Sequence, residues 1–254
     1  MITVDTNSLL TILLLFFRVF AFMFMVPMFG TFFLPNIIRV YLAFAVAASI
    51  LMFSDLEPLQ ISSALEFSKL ALQEVIFGFL SGFFLRLLFD TVFVAGEVIA
   101  VNTGLGFLMM FLPQQPQTTV LAGFSTLMAS TLFLAVGGAE AVYVGLAQSF
   151  NSVPIGSFDI YSMNGKAFLS LFYKSFSLGV KLALPVLIAA MLTNIILAVI
   201  NRFIPQINVF MVGLPLQVMV GLTVLLLSLP VIGLVLISYM REYMLNFLSF
   251  IGSG

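Results

Sequence analysis

Seven apolar runs dominate the chain, at about 9–26, 38–53, 70–89, 92–112, 120–137, 178–200 and 209–238. Each approaches the roughly 20 residues an α-helix needs to cross a hydrocarbon core, with 38–53 on the short side. Turn-forming residues separate them: Pro27, Gly30 and Pro35; Ser54, Asp55 and Pro58; Pro113 and Pro116; Gly137 and Gly138; and Pro205. Only 138–177 lacks a clear span. Its middle, NSVPIGSFD, reads as a loop, and an amphipathic helix carrying Lys166 and Lys174 is expected after it. No repeat, low-complexity tract or linker interrupts the pattern. The expected fold is all-α, a multi-helix hydrophobic protein of helical hairpins forming one domain over 1–254. Seven apolar segments need not be seven spans, because several contain glycine, proline or a charge.

Composition places these helices in a membrane. Of 254 residues, 62% are hydrophobic and 7% charged, against about 25% charged in soluble domains. The mean hydropathy is +1.25. No basic region precedes the first run, which holds Arg18 and lacks a small-residue cleavage site, so it reads as a retained helix. The net charge of −1 supplies no basic field for nucleic acid. Without cysteine or histidine the chain has no disulfide, thiolate nucleophile, histidine base or usual zinc or haem ligand. Its acids are scattered, which argues against a carboxylate metal site, and no cofactor or catalytic set is expected. In the 54–69 loop Asp55, Glu57 and Glu66 outnumber Lys69, which suggests a non-cytoplasmic side; Arg39, Lys166 and Lys174 favour the cytoplasm.

Charges inside the apolar runs are costly and therefore informative. Arg18 lies in LLLFFRVFAF, Glu74 in LALQEVIFGF, Glu97 in VAGEVIAVN, and Lys181 opens KLALPVLIAAML. Arg86 and Asp90 stand four residues apart and can neutralise each other. These groups could form a proton or ion relay, or they could pair with neighbouring subunits and snorkel to the interface. The absence of histidine and the spread of the acids over different segments favour the structural role. Glu74, Gly78, Gly82 and Arg86 recur every four residues on one helical face, which looks made for another protein helix.

Between Glu97 and Glu140 there is no charge. Within this stretch Phe107, Leu108, Met109, Met110, Phe111 and Leu112 follow Gly104 and Gly106, and precede Pro113 and Pro116. An ordinary span end is one reading. A deformable apolar plug is the other, because methionine packs adaptably and hydrophobic constrictions gate pores.

From Lys181 the chain runs KLALPVLIAAMLTNIILAVINRFIPQINVFMVGLPLQVMVGL. Pro185, Asn194, Arg202, Pro205, Gln206, Asn208, Phe210, Gly213 and Pro215 form a pattern that resembles the FliR family of flagellar export-gate proteins and their injectisome counterparts. EVIFGFLSGF (74–83) and AGEVIAVNTGLGF (95–107) also look like that family's earlier segments. The resemblance covers essentially the whole chain. It implies a hetero-oligomeric export gate with FliP-like and FliQ-like subunits, joined by an FlhB-like protein, in the basal body at the bacterial inner membrane. Unfolded flagellar subunits would pass through it, and much of the assembly would rise on the periplasmic side. It further implies a loop that helps plug the pore, placed here at 106–117. Glu74, Gly78, Gly82, Arg86 and Glu97, with the fingerprint residues of 202–215, are then the expected subunit contacts. Pro205 and Pro215 are expected to keep two apolar helices apart, making 201–217 a structured hairpin turn. A small-solute carrier is the competing class, since carriers also use broken helices, but no two-half symmetry is evident. An intramembrane enzyme is weaker still, because no nucleophile–base set or nucleotide-binding loop occurs.

Overall fold

The structure, a computed structural model, describes residues 6–29, 34–53, 59–108, 118–158, 165–204 and 209–252. Its helices are α1 (Thr6–Met25), α2 (Asn36–Phe53), α3 (Ala64–Asn102), α4 (Leu105–Leu108), α5 (Val120–Ala135), α6 (Gly138–Ser152), α7 (Gly165–Phe203) and α8 (Val209–Gly252). A short 3-10 turn, Pro27–Phe29, follows α1. No strand occurs among the described residues, and the all-α expectation is met.

Three features differ from the sequence pattern. The run at 70–89 and the first part of the run at 92–112, as far as Asn102, share the single 39-residue helix α3. Asp90 and Thr91, the polar break between them, do not end it, because neither removes a backbone donor. The expected amphipathic helix and the run at 178–200 likewise merge into α7. Residues 138–152, too polar to read as a span, form α6. Three helices among the described residues are long and apolar enough to cross a membrane: Asn7–Met25, Leu169–Phe203 and Met211–Ser249.

The chain divides into two compact units. The first holds Met1–Leu87, Gly137–Leu169 and Arg241–Gly254. Here α2 packs on α1 through Ala43, Ala47 and Ile50, which follow one another at helical spacing and are buried. Phe22, Phe84 and Phe247 build an aromatic centre, with ring centroids 6.0 Å apart for Phe22–Phe247 and 6.1 Å for Phe84–Phe247. The buried Tyr243 hydroxyl joins it by donating to the Phe84 carbonyl at 2.5 Å. The second unit holds Leu88–Val136 and Ser170–Met240. Phe89 meets Phe133 edge-on at 5.3 Å, and Leu182, Val186, Leu225 and Leu236 bury the inner faces of α7 and α8.

Within the first unit, α1 lies directly against α3. A Cβ at Gly82 would sit 2.6 Å from the Phe22 carbonyl oxygen and 2.9 Å from the Met25 Cβ. At Gly78 it would collide with the Arg18 carbonyl. The small-residue face read in the sequence is thus filled by a helix of the same chain.

Overpacking this contact by Gly82→Val is expected to cost about 1–3 kcal/mol. Gly123→Ala, where an added Cβ meets nothing within 4 Å, should leave stability unchanged or raise it slightly. Thermal unfolding of both variants in detergent checks the contrast; equal melting temperatures would contradict the close approach.

Candidate functional site

The apolar surroundings of Arg18 leave its guanidinium one way to remain charged, which is to find acceptors inside the protein. It is fully buried, and so is Glu74. Arg18 Nε donates to Glu74 Oε2 at 2.5 Å and Nη2 donates to Oε1 at 3.1 Å. This is the side-on bidentate pairing that suits a planar guanidinium and a carboxylate. Nη1 donates to the carbonyl and hydroxyl oxygens of Ser149 at 3.1 and 3.3 Å, and Nη2 also donates to the Val153 carbonyl at 3.0 Å. The five N–H donors of the group are therefore all engaged.

Aromatic faces complete the enclosure. The guanidinium carbon lies 4.6 Å from the Phe77 ring centroid and 4.2 Å from that of Phe150. On the carboxylate side, the backbone N–H of Gly156 donates to Glu74 Oε1 at 2.9 Å. Gly156 occupies a positive-φ turn (φ +77) just beyond α6. One ion pair thus joins α1, α3, the end of α6 and the turn after it. A buried pair so fully hydrogen-bonded fixes which helices adjoin. For Arg18 and Glu74 the partner is supplied within the chain.

The remaining sequence-selected residues divide into several places. Gly78 and Gly82 lie one and two turns after Glu74, against α1. Arg86 is half-buried at the end of the same face. In the second unit, Glu97 Oε1 accepts from the Thr119 backbone N–H at 2.9 Å, and Thr119 Oγ1 accepts from Ala122 N at 3.2 Å, capping α5. This anchor stands just after the uncharged Met/Phe stretch. Phe107 and Leu108 end α4, while Met109, Met110, Phe111 and Leu112 lie outside the described residues.

The opening of the family fingerprint also needs one correction. Arg202 is exposed in the last turn of α7, where a cation suits the helix dipole. Pro205, Gln206 and Asn208 lie outside the described residues, and Phe210 is in the first turn of α8. Pro215 does not separate two helices. It sits inside α8, which starts at Val209 and continues past Pro230. A long helix packed among neighbours accommodates an internal proline, so Pro215 does not mark a helix boundary; α7 ends at Phe203 and α8 begins at Val209. Gly213 is buried against Leu197, and Gln217 Nε2 donates to Asn194 Oδ1 between α8 and α7. Asn194, Asn201 and Gln217 share a recess of about 340 Å³.

Sequence reasoning missed Ser149, Val153 and Gly156, whose contributions are mostly backbone groups and leave no trace in residue type. It also missed that Arg39 is buried, at 5% exposure.

A family model described as bacterial export proteins, family 1, matches residues 9–243. The chain is 49% identical over 245 residues to the flagellar biosynthetic protein FliR of Aquifex aeolicus (strain VF5), covering 96% of this chain and 95% of that protein. It is 27% identical to the protein of the same name from Bacillus subtilis (strain 168), over 94% of this chain and 95% of that one. With the flagellar biosynthetic protein FliR of Escherichia coli (strain K12) the chain shares 33% identity over 65% of this chain and 63% of that protein.

Removing one partner of the buried pair strands the other. Arg18→Met and Glu74→Met are each expected to destabilise by about 3–5 kcal/mol, and the two together by clearly less than the sum. A double-mutant cycle on detergent-extracted protein reads this directly; strict additivity would mean the pair does not interact.

Proposed function

The chain belongs to the FliR family of bacterial export proteins, and on that premise we propose that it is a core subunit of the flagellar type III protein export gate. The observation that carries this reading is the likeness to flagellar biosynthetic proteins along nearly the full chain. It acts as one functional module over 1–254, a proposal supported by the span of that likeness. Its chemistry is that of a conduit component and not of an enzyme: the charged pair it buries is saturated, and the sequence holds no histidine or cysteine.

In the assembled gate it sits in the inner membrane at the flagellar basal body, with part of the assembly on the periplasmic side. FliP-like and FliQ-like subunits surround it and an FlhB-like protein associates. Unfolded flagellar subunits pass through the pore. The surface supports such neighbours. Within the apolar windows of α7 and α8, 28% and 22% of residues are buried by the chain itself. Ile188, Met191, Leu192, Leu226, Leu227 and Leu234 are more than half exposed. Such faces need lipid or other subunits around them. Phe107 to Leu112 form the plug, an apolar segment without charge that seals by excluding water. Arg202, on the exposed last turn of α7, donates to carbonyls or a carboxylate of a neighbouring subunit.

Two measurements test this reading. The chain should co-purify with FliP-like and FliQ-like subunits from membranes, and its deletion should abolish flagellar export. A stable monomer that conducts a small solute on its own would instead favour the carrier class. In the assembled gate, replacing Phe107, Met109, Met110 and Phe111 with serine should make the membrane leaky to ions. Arg202→Ala should reduce the yield of complex with little effect on sealing. Unchanged permeability of the serine variant would remove the plug assignment.

A further inference from the structure

A carboxylate half-buried in an apolar helix needs a donor beside it. Glu97 of α3 finds one on the main chain, where its Oε1 accepts the Thr119 N–H at 2.9 Å. That N–H belongs to the N-cap of α5, so no helical carbonyl competes for it. The first turn of α5 holds no acid of its own. Glu97 supplies, from another helix, the negative charge that a helix N-terminus favours. The two helices meet closely here. At Gly96 an added Cβ would lie 2.7 Å from Ser125 Oγ and 2.8 Å from Ala122 Cα. This approach brings the Glu97 side chain within reach of Thr119.

The chain leaves α3 a short way beyond. Glu97 stands five residues before Asn102, the last residue of α3, about 7.5 Å along the helix. Thr103 is fully buried, and a Cβ at Gly221 of α8 would collide with its Cγ2. Gly104 turns at φ +76 beside Leu214 of α8, and a Cβ at Gly106 would lie 3.3 Å from Val101 Cα. The departure toward Phe107 and Leu108 is thus set by packing on α8 and α3. The return at Thr119 is set by Gly96 and by the hydrogen bond to Glu97.

We propose that Glu97 is a positioning residue for the seal: by accepting the Thr119 N–H it holds the point at which the chain rejoins α3 after the apolar stretch. This inference rests on the reading of Phe107 to Leu112 as the plug. Apolar contact is non-directional, so apolar side chains do not by themselves fix where a seal sits. Its ends must do so. The departing end is held by packing, and the returning end by one directional, charge-assisted bond. The role requires an acceptor oxygen at position 97 and not a titrating group, which separates it from a proton or ion relay.

The test uses the assembled gate with its partner subunits, reconstituted in liposomes, and reads complex yield and potassium leak. Glu97→Ala removes the acceptor. Thr119→Pro removes the donor without straining the backbone, because Thr119 already stands at φ −69. Each should assemble in wild-type yield and raise the leak by about tenfold or more, as expected when a hydrogen bond to a charged group is lost. Glu97→Gln keeps an acceptor oxygen and should recover most of the seal. Thr119→Ala loses the side-chain cap but keeps the N–H, and should leak clearly less than Thr119→Pro. Glu97→Ala combined with Thr119→Pro should leak no more than either alone, because both remove the same bond.

Tight gates with Glu97→Ala and Thr119→Pro would overturn the proposal. So would Glu97→Gln as leaky as Glu97→Ala, since charge and not the acceptor would then matter. Thr119→Ala as leaky as Thr119→Pro would assign the effect to the cap. Loss of assembled complex in both Glu97→Ala and Thr119→Pro would mark a bond needed only for folding, and the proposal would fall. The serine replacement of Phe107, Met109, Met110 and Phe111 separates the two readings. If that gate stays tight, the plug assignment itself fails; if it leaks while Glu97→Ala and Thr119→Pro stay tight, only this inference fails.

Discussion

A guanidinium removed from water must be met on every side, and Arg18 shows how much structure that requires. Its five donors draw on Glu74 of α3, Ser149 of α6 and the carbonyl of Val153 after it. The carboxylate needs its own support, which the Gly156 N–H supplies. The members of such a buried network reinforce one another. The requirement extends to the backbone. For α3 to bring Glu74 to Arg18, the two helices must come almost into backbone contact, and Gly78, one turn on, lies where a Cβ would strike the carbonyl of Arg18 itself. The ion pair and the glycine are two aspects of one close approach.

The interior and the exterior of the protein follow opposite rules. Inside the first unit, polar groups are few and, the Nε and Nη2 of Arg39 apart, paired, and aromatic rings fill the space around Arg18. Outside, α2, α7 and α8 expose large apolar side chains such as Tyr41, Met191, Leu227 and Leu234. Three polar residues near the facing sides of α7 and α8 carry amides: Asn194, Asn201 and Gln217 line one recess, and two of them bond each other. Uncharged amides tolerate a low-dielectric setting better than charges do, because their hydrogen bonds can be satisfied in pairs. A chain so built suits surroundings of lipid and other subunits.

Much of this was legible in the sequence. Helical fold and membrane class follow from apolar runs and from the scarcity of charge. Arg18 and Glu74 stand out as charges in apolar runs, and Gly78 and Gly82 as a helix-contact face. Their mutual pairing was not legible, because 56 residues separate Arg18 from Glu74 and each reads alone as a solitary charge. The backbone acceptors around Arg18 were invisible, since any residue can offer a carbonyl. Pro215 misled in the opposite direction. Proline is a reliable breaker in water, but α8 carries both Pro215 and Pro230 without ending, as membrane helices supported by neighbours do. The merger of two apolar runs into α3 has a similar cause: Asp90 and Thr91 interrupt hydropathy without interrupting backbone hydrogen bonding.

The two buried arginines differ in the acceptors that meet them. Desolvating a guanidinium is equally unfavourable wherever it happens, so the decisive variable is the origin of the compensating anion. When the anion belongs to the same chain, as for Arg18, compensation is complete once the chain folds, and the pair specifies which helices adjoin. At the Nε–Nη2 edge of Arg39 no acceptor is present among the described residues, and that edge fixes no helix pair of the kind that Arg18 and Glu74 fix.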